Sequence, residues 1–233
     1  MTGLVIFDYD WSLINDNSDT YVFQQLQPEL YTHLRQLSSS GVQWTQAVDQ
    51  TLAKLTCTKE QLIDALARIP IQDGMLEAVQ FAHTKGCEIV IVSDANTVFI
   101  QSMLEHHNLT SIIKQVYTNP AVFEGNVLHV SPFHASNLPP HGCPRCPPNM
   151  CKGSIVQQIK ASKTYSKIIY IGDGGGDFCP CATQLSSNDV VFAREQYELL
   201  RRLQANSGDV SATVEPWSTG LDILAGFQRH IVE

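Results

Sequence analysis

The chain has no basic stretch longer than Arg201-Arg202, and its 15 Lys and Arg stand against 23 Asp and Glu, for a formal charge of −8. A field of that sign repels nucleic acid and anionic lipid, so neither is expected as a partner. Long apolar runs are missing as well. Leu4-Val5-Ile6-Phe7 is followed at once by Asp8, which is too short and too acidic for a signal peptide or a spanning helix, so the expected location is the cytoplasm. Seven cysteines are an odd number in a chain without an export signal. That argues against a disulfide framework and for reduced thiols. There is no internal repeat or low-complexity tract. What is present is an ordinary globular composition, 233 residues and 43% hydrophobic, enough for one sizeable core.

Three short apolar runs end in polar residues: Leu4–Phe7 before Asp8, Ile89–Val92 before Ser93-Asp94, and Ile168–Ile171 before Gly172-Asp173. Continuous runs of this length read as strands buried on both faces of a parallel sheet. Between them, residues 75–83, 98–106 and 153–160 carry apolar residues at helical spacing. The alternation predicts an α/β, Rossmann-like parallel sheet with helices on both faces, and a ligand site at the carboxyl ends of its strands. Residues 15–72 interrupt it with helices at 18–26, 29–37, 44–55 and 59–68, the last opened by a Thr58-x-x-Gln61 capping box. The expected organisation is a core of residues 1–14 and 73–233 with a helical cap inserted at 15–72. Glu124-Gly125-Asn126 reads as a hairpin turn between 121–123 and 127–128.

Asp8 and Asp10 flank Tyr9, and the period of two in extended chain puts their carboxylates on one side. Such a pair suits a hard cation, or a division into nucleophile and proton donor, but a solvated strand end explains it equally well. Gly172-Asp173-Gly174-Gly175-Gly176-Asp177 adds two carboxylates on a backbone whose glycines permit positive φ or close approach. Four carboxylates at two strand ends repel one another unless a cation such as magnesium lies between them. Ser93 offers a hydroxyl at a strand end, and Lys152 an ammonium at a helix start, both suited to phosphate oxygens.

In this order, Asp8-Tyr9-Asp10, Ser93, Lys152 and Gly172-Asp173 to Asp177, the chain resembles the haloacid dehalogenase superfamily. Asn17-Ser18-Asp19, Val92 to Asn96, Ser131 to His134 and the run Cys143-Pro-Arg-Cys146-Pro-Pro-Asn-Met-Cys151-Lys152 look like its phosphocholine/phosphoethanolamine and pyridoxal-phosphate phosphatases. The resemblance implies a magnesium-dependent phosphatase acting on a small phosphate monoester through an aspartyl-phosphate. In it Asp8 is the nucleophile and Asp10 the acid and base. Asp8, Asp10 (through its carbonyl) and Asp173 bind magnesium, Ser93 and Lys152 hold the phosphoryl group, and Asp177 orients the metal shell and the lysine. The expected substrates are pyridoxal phosphate, phosphocholine or phosphoethanolamine. Pyrophosphate and thiamine monophosphate are alternatives, as is a phosphate-binding regulator without turnover.

Ser12 stands where the superfamily usually has threonine, keeping the hydroxyl and losing a methyl. Asp19 and Asp94 match positions that meet cationic substrate groups, against the plainer readings of helix cap and turn residue. Trp11 or Tyr21 offers an aromatic face to a quaternary ammonium, or simply packs. Cys143, Cys146 and Cys151, with His141 before them, have spacing suited to zinc, to a redox-sensitive Cys143–Cys146 pair, or to structural thiols. Cys57, Cys87, Cys179 and Cys181 read as small core residues.

Overall fold

The structure, a computed structural model, describes residues 2–231. Strand β1 (Leu4–Phe7) is fully buried and leads into the helices α1 (Ser18–Leu26), α2 (Pro28–Ser39), α3 (Trp44–Leu52) and α4 (Lys59–Ala67). Alternation then begins: α5 (Met75–Thr84), β2 (Glu88–Asn96), α6 (Thr97–His106) and β3 (Ile113–Asn119). A two-stranded hairpin of β4 (Ala121–Glu124) and β5 (Val127–Val130) precedes α7 (Lys152–Ser162), β6 (Ile168–Gly172) and α8 (Phe178–Thr183). The chain closes with β7 (Val190–Arg194), α9 (Glu198–Ala205), β8 (Thr213–Trp217) and α10 (Gly220–His230).

Six strands form one parallel sheet in the order β3-β2-β1-β6-β7-β8, so three strands beyond those read from the sequence complete it. Alternate residues of each strand feed two apolar layers. Val5, Phe7, Ile89, Ile91, Ile169 and Phe192 face α5, α6 and α10. Leu4, Ile6, Val90, Val92, Tyr170 and Val191 face α7, α8 and α9. Covering on both sides is what a run of four apolar residues without alternation requires.

The strand order reverses at β1, which pairs with β2 on one side and β6 on the other. Phe7 lies opposite Ile91 and Ile171, so Asp8 just past β1 and Asp173 just past β6 come near the level of Ser93, which lies within β2 and not at its end as the sequence suggested, because β2 runs on to Asn96. Such a crevice, at the carboxyl ends of strands where the winding reverses, is where open α/β sheets bind ligands.

Helices α1 to α4 carry no strand among them, and Val22, Phe23, Leu34, Val48 and Leu66 join the apolar layer that holds Phe7. The Thr58 capping box forms in both directions: the Gln61 N–H donates to Thr58 Oγ1 at 3.2 Å and the Thr58 N–H to Gln61 Oε1 at 2.8 Å. Helix α3 stops at Leu52, three residues short of the sequence expectation. Among the described residues no helix is long and apolar enough to cross a membrane.

Candidate active site

Directly after β1 the chain makes a wide turn, with the Leu13 N–H donating to the Asp8 carbonyl at 3.2 Å and the Ile14 N–H to that of Tyr9 at 3.1 Å. Trp11 takes a left-handed conformation at φ 55, a region costly for a residue with a bulky side chain. Arg194, at the end of β7, offsets that cost. Its guanidinium donates to the Trp11 carbonyl and to Asn15 Oδ1, both at 2.6 Å, and lies 5.6 Å from the Trp11 ring centre. Tyr197 packs against the same indole at 5.8 Å. Trp11 thus borders the cavity while holding the turn in place, and the Tyr21 hydroxyl donates to the Arg68 carbonyl.

Lys152, the first residue of α7, is 5% exposed and bridges two carboxylates, with Nζ 2.7 Å from Asp8 Oδ2 and 2.8 Å from Asp177 Oδ1. Burial alone would lower its pKa, but the charges of Asp177 and Asp8 override this and raise it, so the amine stays an ammonium. Asp177 is fully engaged: Tyr170 Oη donates to Oδ1 at 2.6 Å, and the N–H groups of Asp173 and Gly174 donate to Oδ2. With its lone pairs taken, Asp177 braces Lys152 and the loop. Ser12, departing from the usual threonine, still uses its hydroxyl, which donates to Asp173 Oδ1 at 3.3 Å.

The glycine-rich loop does not use positive φ at Gly172, Gly174, Gly175 or Gly176, contrary to one reading of the sequence. Its need for glycine at position 172 is steric. A Cβ there would come within 2.7 Å of the Asp177 carboxylate, so the close approach is to the protein's own side chain.

Three buried carboxylates, Asp8, Asp173 and Asp177, cluster around one ammonium. Asp8 is raised well above the usual carboxylate range by burial and by the charge of Asp177, with Lys152 opposing. Asp173 is pushed up to about 7 by burial and then by Asp177. The donor set is hard oxygen and carries excess negative charge, which fits magnesium chemically.

Asp10 faces the start of α1, accepting from the Ser18 N–H at 2.9 Å and from Asn17 Nδ2 at 3.1 Å. Burial and then the charge of Asp19 raise its pKa well above the usual range, which favours its neutral form. Asp19 is 4% exposed and accepts from the Trp44 indole at 2.8 Å; burial pushes it up to about 7. Asp94 is exposed and lines a cavity of about 210 Å³ together with Asp8, Asp10, Trp11, Asn17, Lys152, Asp173 and Gly174. Ser93 is buried beneath, its Oγ accepting from the Ala95 N–H at 3.2 Å.

The structure therefore brings Asp8, Asp10, Asp94, Lys152 and Asp173 to one cavity, with Asp177 behind it, and sets Asp19 back against Trp44. Sequence reading missed Arg194, Tyr170, Trp44 and the pair Asn119 and Asn149. Asn119 donates to the Asp94 carbonyl at 2.5 Å, and both asparagines accept from the Phe133 N–H at 2.9 Å. Except for Tyr170, seven positions from Asp177, these residues act through partners far away in sequence. Only Asn149 carried a signal, lying within the Cys-rich run that ends on Lys152.

Comparison with known proteins agrees with this geometry. The family described as Putative Phosphatase matches residues 3–231. A thiamine phosphate phosphatase-like protein of Arabidopsis thaliana is 36% identical, the alignment covering 93% of this chain and 90% of that one. The pyridoxal phosphate phosphatase PHOSPHO2 of Homo sapiens is 34% identical, covering 98% of each. Among solved structures, apo phosphoserine phosphatase superposes with a TM-score of 0.66 at 14% identity, covering all of both chains, a likeness of fold. The chain belongs to this phosphatase family and is a hydrolase of phosphate monoesters built on the haloacid dehalogenase fold.

Proposed function

We propose that the protein hydrolyses small phosphate monoesters whose leaving group carries a cationic or protonatable nitrogen, of which pyridoxal phosphate, phosphocholine and phosphoethanolamine are the candidates, through a phosphoryl group carried on Asp8. The observation that carries this reading is Lys152, buried, bridging Asp8 and Asp177, and lining an acidic cavity. Asp8, Asp173 and the Asp10 carbonyl would hold magnesium, which when bound neutralises the carboxylates and the transferring phosphoryl charge.

Lys152 orients Asp8 and opposes the burial that favours its neutral form, and its ammonium, with the Ser93 hydroxyl, takes up phosphoryl oxygens. A bond forms between the Asp8 carboxylate and phosphorus as the ester P–O bond breaks, and the Asp10 proton passes to the departing oxygen. Asp10, now ionised, takes a proton from water, whose oxygen attacks phosphorus and releases Asp8 and inorganic phosphate. Residues 15–72 act as a cap that excludes bulk water. The exposed Asp94 meets the substrate amine, and Asp19 acts from behind through its charge on Asp10.

The experiment is a kinetic comparison of phosphocholine with a neutral ester, in magnesium and in a chelator. Turnover should vanish in the chelator and return with magnesium. Asp94→Asn should lower kcat/KM for phosphocholine by roughly fivefold, since the carboxylate is solvated, and leave the neutral ester unchanged. Equal losses on both esters would remove Asp94 from amine recognition.

Asp19→Asn carries a pH signature. The first step needs Asp10 protonated, so kcat/KM falls as pH rises through the Asp10 pKa. The Asp19 charge raises that pKa, and removing it lowers it, so the alkaline limb should move to lower pH. An unmoved limb would show that Asp19 does not tune Asp10.

A further inference from the structure

Four cysteines meet behind Lys152. Cys143, Cys146 and Cys151 lie in the irregular segment between β5 and α7, and Cys179 lies in the first turn of α8. Their sulfurs all lie within 4.8 Å of one another. Cys179 Sγ is 3.7 Å from that of Cys143 and 4.0 Å from that of Cys151, and all four are free thiols. Four sulfurs around zinc at about 2.3 Å stand about 3.8 Å apart along each tetrahedral edge, so these spacings match a tetrathiolate site.

The sequence placed His141 beside three of the sulfurs and read Cys179 as a small core residue; Cys179 is buried as expected, but its sulfur is the fourth of the cluster, and His141 is not part of it. His141 Nδ1 accepts from the Cys143 N–H at 3.1 Å and Nε2 bonds the Pro147 carbonyl at 2.9 Å, so its nitrogens are taken. Cys179 supplies the sulfur that the missing second Cys-x-x-Cys would have given. Around the cluster, backbone N–H groups point at sulfur: that of Arg145 at Cys143 and that of Ser154 at Cys151 Sγ, at 3.4 Å. Such donors stabilise metal-bound thiolates. Gly153 leaves the room required, since a Cβ there would lie 2.6 Å from Cys179 Sγ.

We propose that Cys143, Cys146, Cys151 and Cys179 bind one structural zinc ion. Each thiol gives up its proton to solvent as the zinc–sulfur bond forms, and no ligand changes oxidation state. Four protein ligands close the coordination sphere, leaving no position for substrate or water, so the ion is structural. What it secures follows from its neighbours in the chain. Cys151 immediately precedes Lys152, and Cys179 lies two residues after Asp177, so one ion ties down both ends of the Lys152–Asp177 pair. It also anchors residues 131–151, a long connection with neither helix nor strand, where a compact fold needs some fixation.

The test is elemental analysis of the full chain, purified without chelator and dialysed into magnesium buffer. About one zinc per chain is expected, falling below about a tenth in Cys179→Ser and unchanged in Cys57→Ser. If Cys179→Ser fails to fold, wild-type protein answers alone: exchange into cobalt(II) should give the visible absorption of a tetrahedral tetrathiolate. Zinc-free or iron-only wild-type protein would overturn the proposal. So would zinc retained by folded Cys179→Ser, or a Cys143–Cys146 disulfide in a non-reducing peptide map. None of these readouts involves phosphate chemistry, so the site stands or falls apart from the phosphatase reading.

Discussion

Asp8→Asn should lower kcat by roughly 10⁴- to 10⁶-fold, the loss typical of removing a covalent nucleophile, while the protein stays folded. The amide keeps the shape of the carboxyl and can still accept from the Tyr9 N–H, which lies 2.6 Å from Asp8 Oδ1. Stability should not suffer. Burial and the charges of Asp177 and Asp173 all press Asp8 toward its neutral form, and Lys152 opposes them. Replacing that charge relieves the repulsion, and Lys152 retains Asp177 at 2.8 Å. Steady-state assays beside thermal unfolding in metal-free buffer check both halves. Turnover within tenfold of wild type would contradict the assigned nucleophile, and collapse of the fold would contradict the electrostatic argument.

Lys152→Met should do the opposite, removing activity and fold stability together. Among the described residues the lysine is the one ammonium bridging Asp8 and Asp177, which are 6% and 0% exposed. Removing one partner of a buried pair leaves its charge uncompensated, at a cost of about 3–5 kcal/mol. Asp177 keeps Tyr170 and two backbone N–H groups, whereas Asp8 keeps only one. Asp8 should therefore carry most of the penalty, and Asp8→Asn added to Lys152→Met should recover part of it. The penalty should also shrink at low pH. Without the lysine, which opposes the rise, Asp8 has a still higher folded-state pKa, and a carboxylate with a raised pKa destabilises the fold above its unfolded pKa and ceases to do so once protonated. Urea unfolding of the four proteins of this cycle at pH 5 and pH 8 measures all three expectations. An additive cycle would show that Lys152 does not stabilise through Asp8.

The central strands were legible because β1, β2 and β6 are covered on both faces, and continuous apolar sequence is what that burial selects. Strands β3 and β8 lie at the edges of the sheet and carry Lys114, Gln115, Glu215 and Pro216, so their residues do not form an apolar run. Strand β7 did carry a readable run, Val190 to Ala193, that escaped the sequence reading. Asp8, Lys152, Asp173 and Asp177 were legible through their order along the chain. Their register was not, because it depends on Phe7 lying level with Ile91 and Ile171.

Supporting contacts were hidden for the same reason. Arg194 reaches the Trp11 carbonyl across 183 positions, and the Trp44 indole reaches Asp19 across 25. Each is an ordinary residue in sequence and acquires its role only when the sheet and the helices after β1 come together. Cys179 is the sharpest instance, since its spacing from Cys151 has no motif and only the packing of α8 against α7 brings the sulfurs together.

The most direct test of the account is to identify the residue that carries the phosphoryl group. Wild-type protein mixed with magnesium and phosphate-labelled substrate should be quenched in acid during turnover, reduced with borohydride and mapped by mass spectrometry. Reduction is expected at position 8 alone, dependent on substrate and absent in Asp8→Asn. Modification of a different residue, or turnover with no reduced residue under conditions that trap a phosphoserine phosphatase, would contradict it.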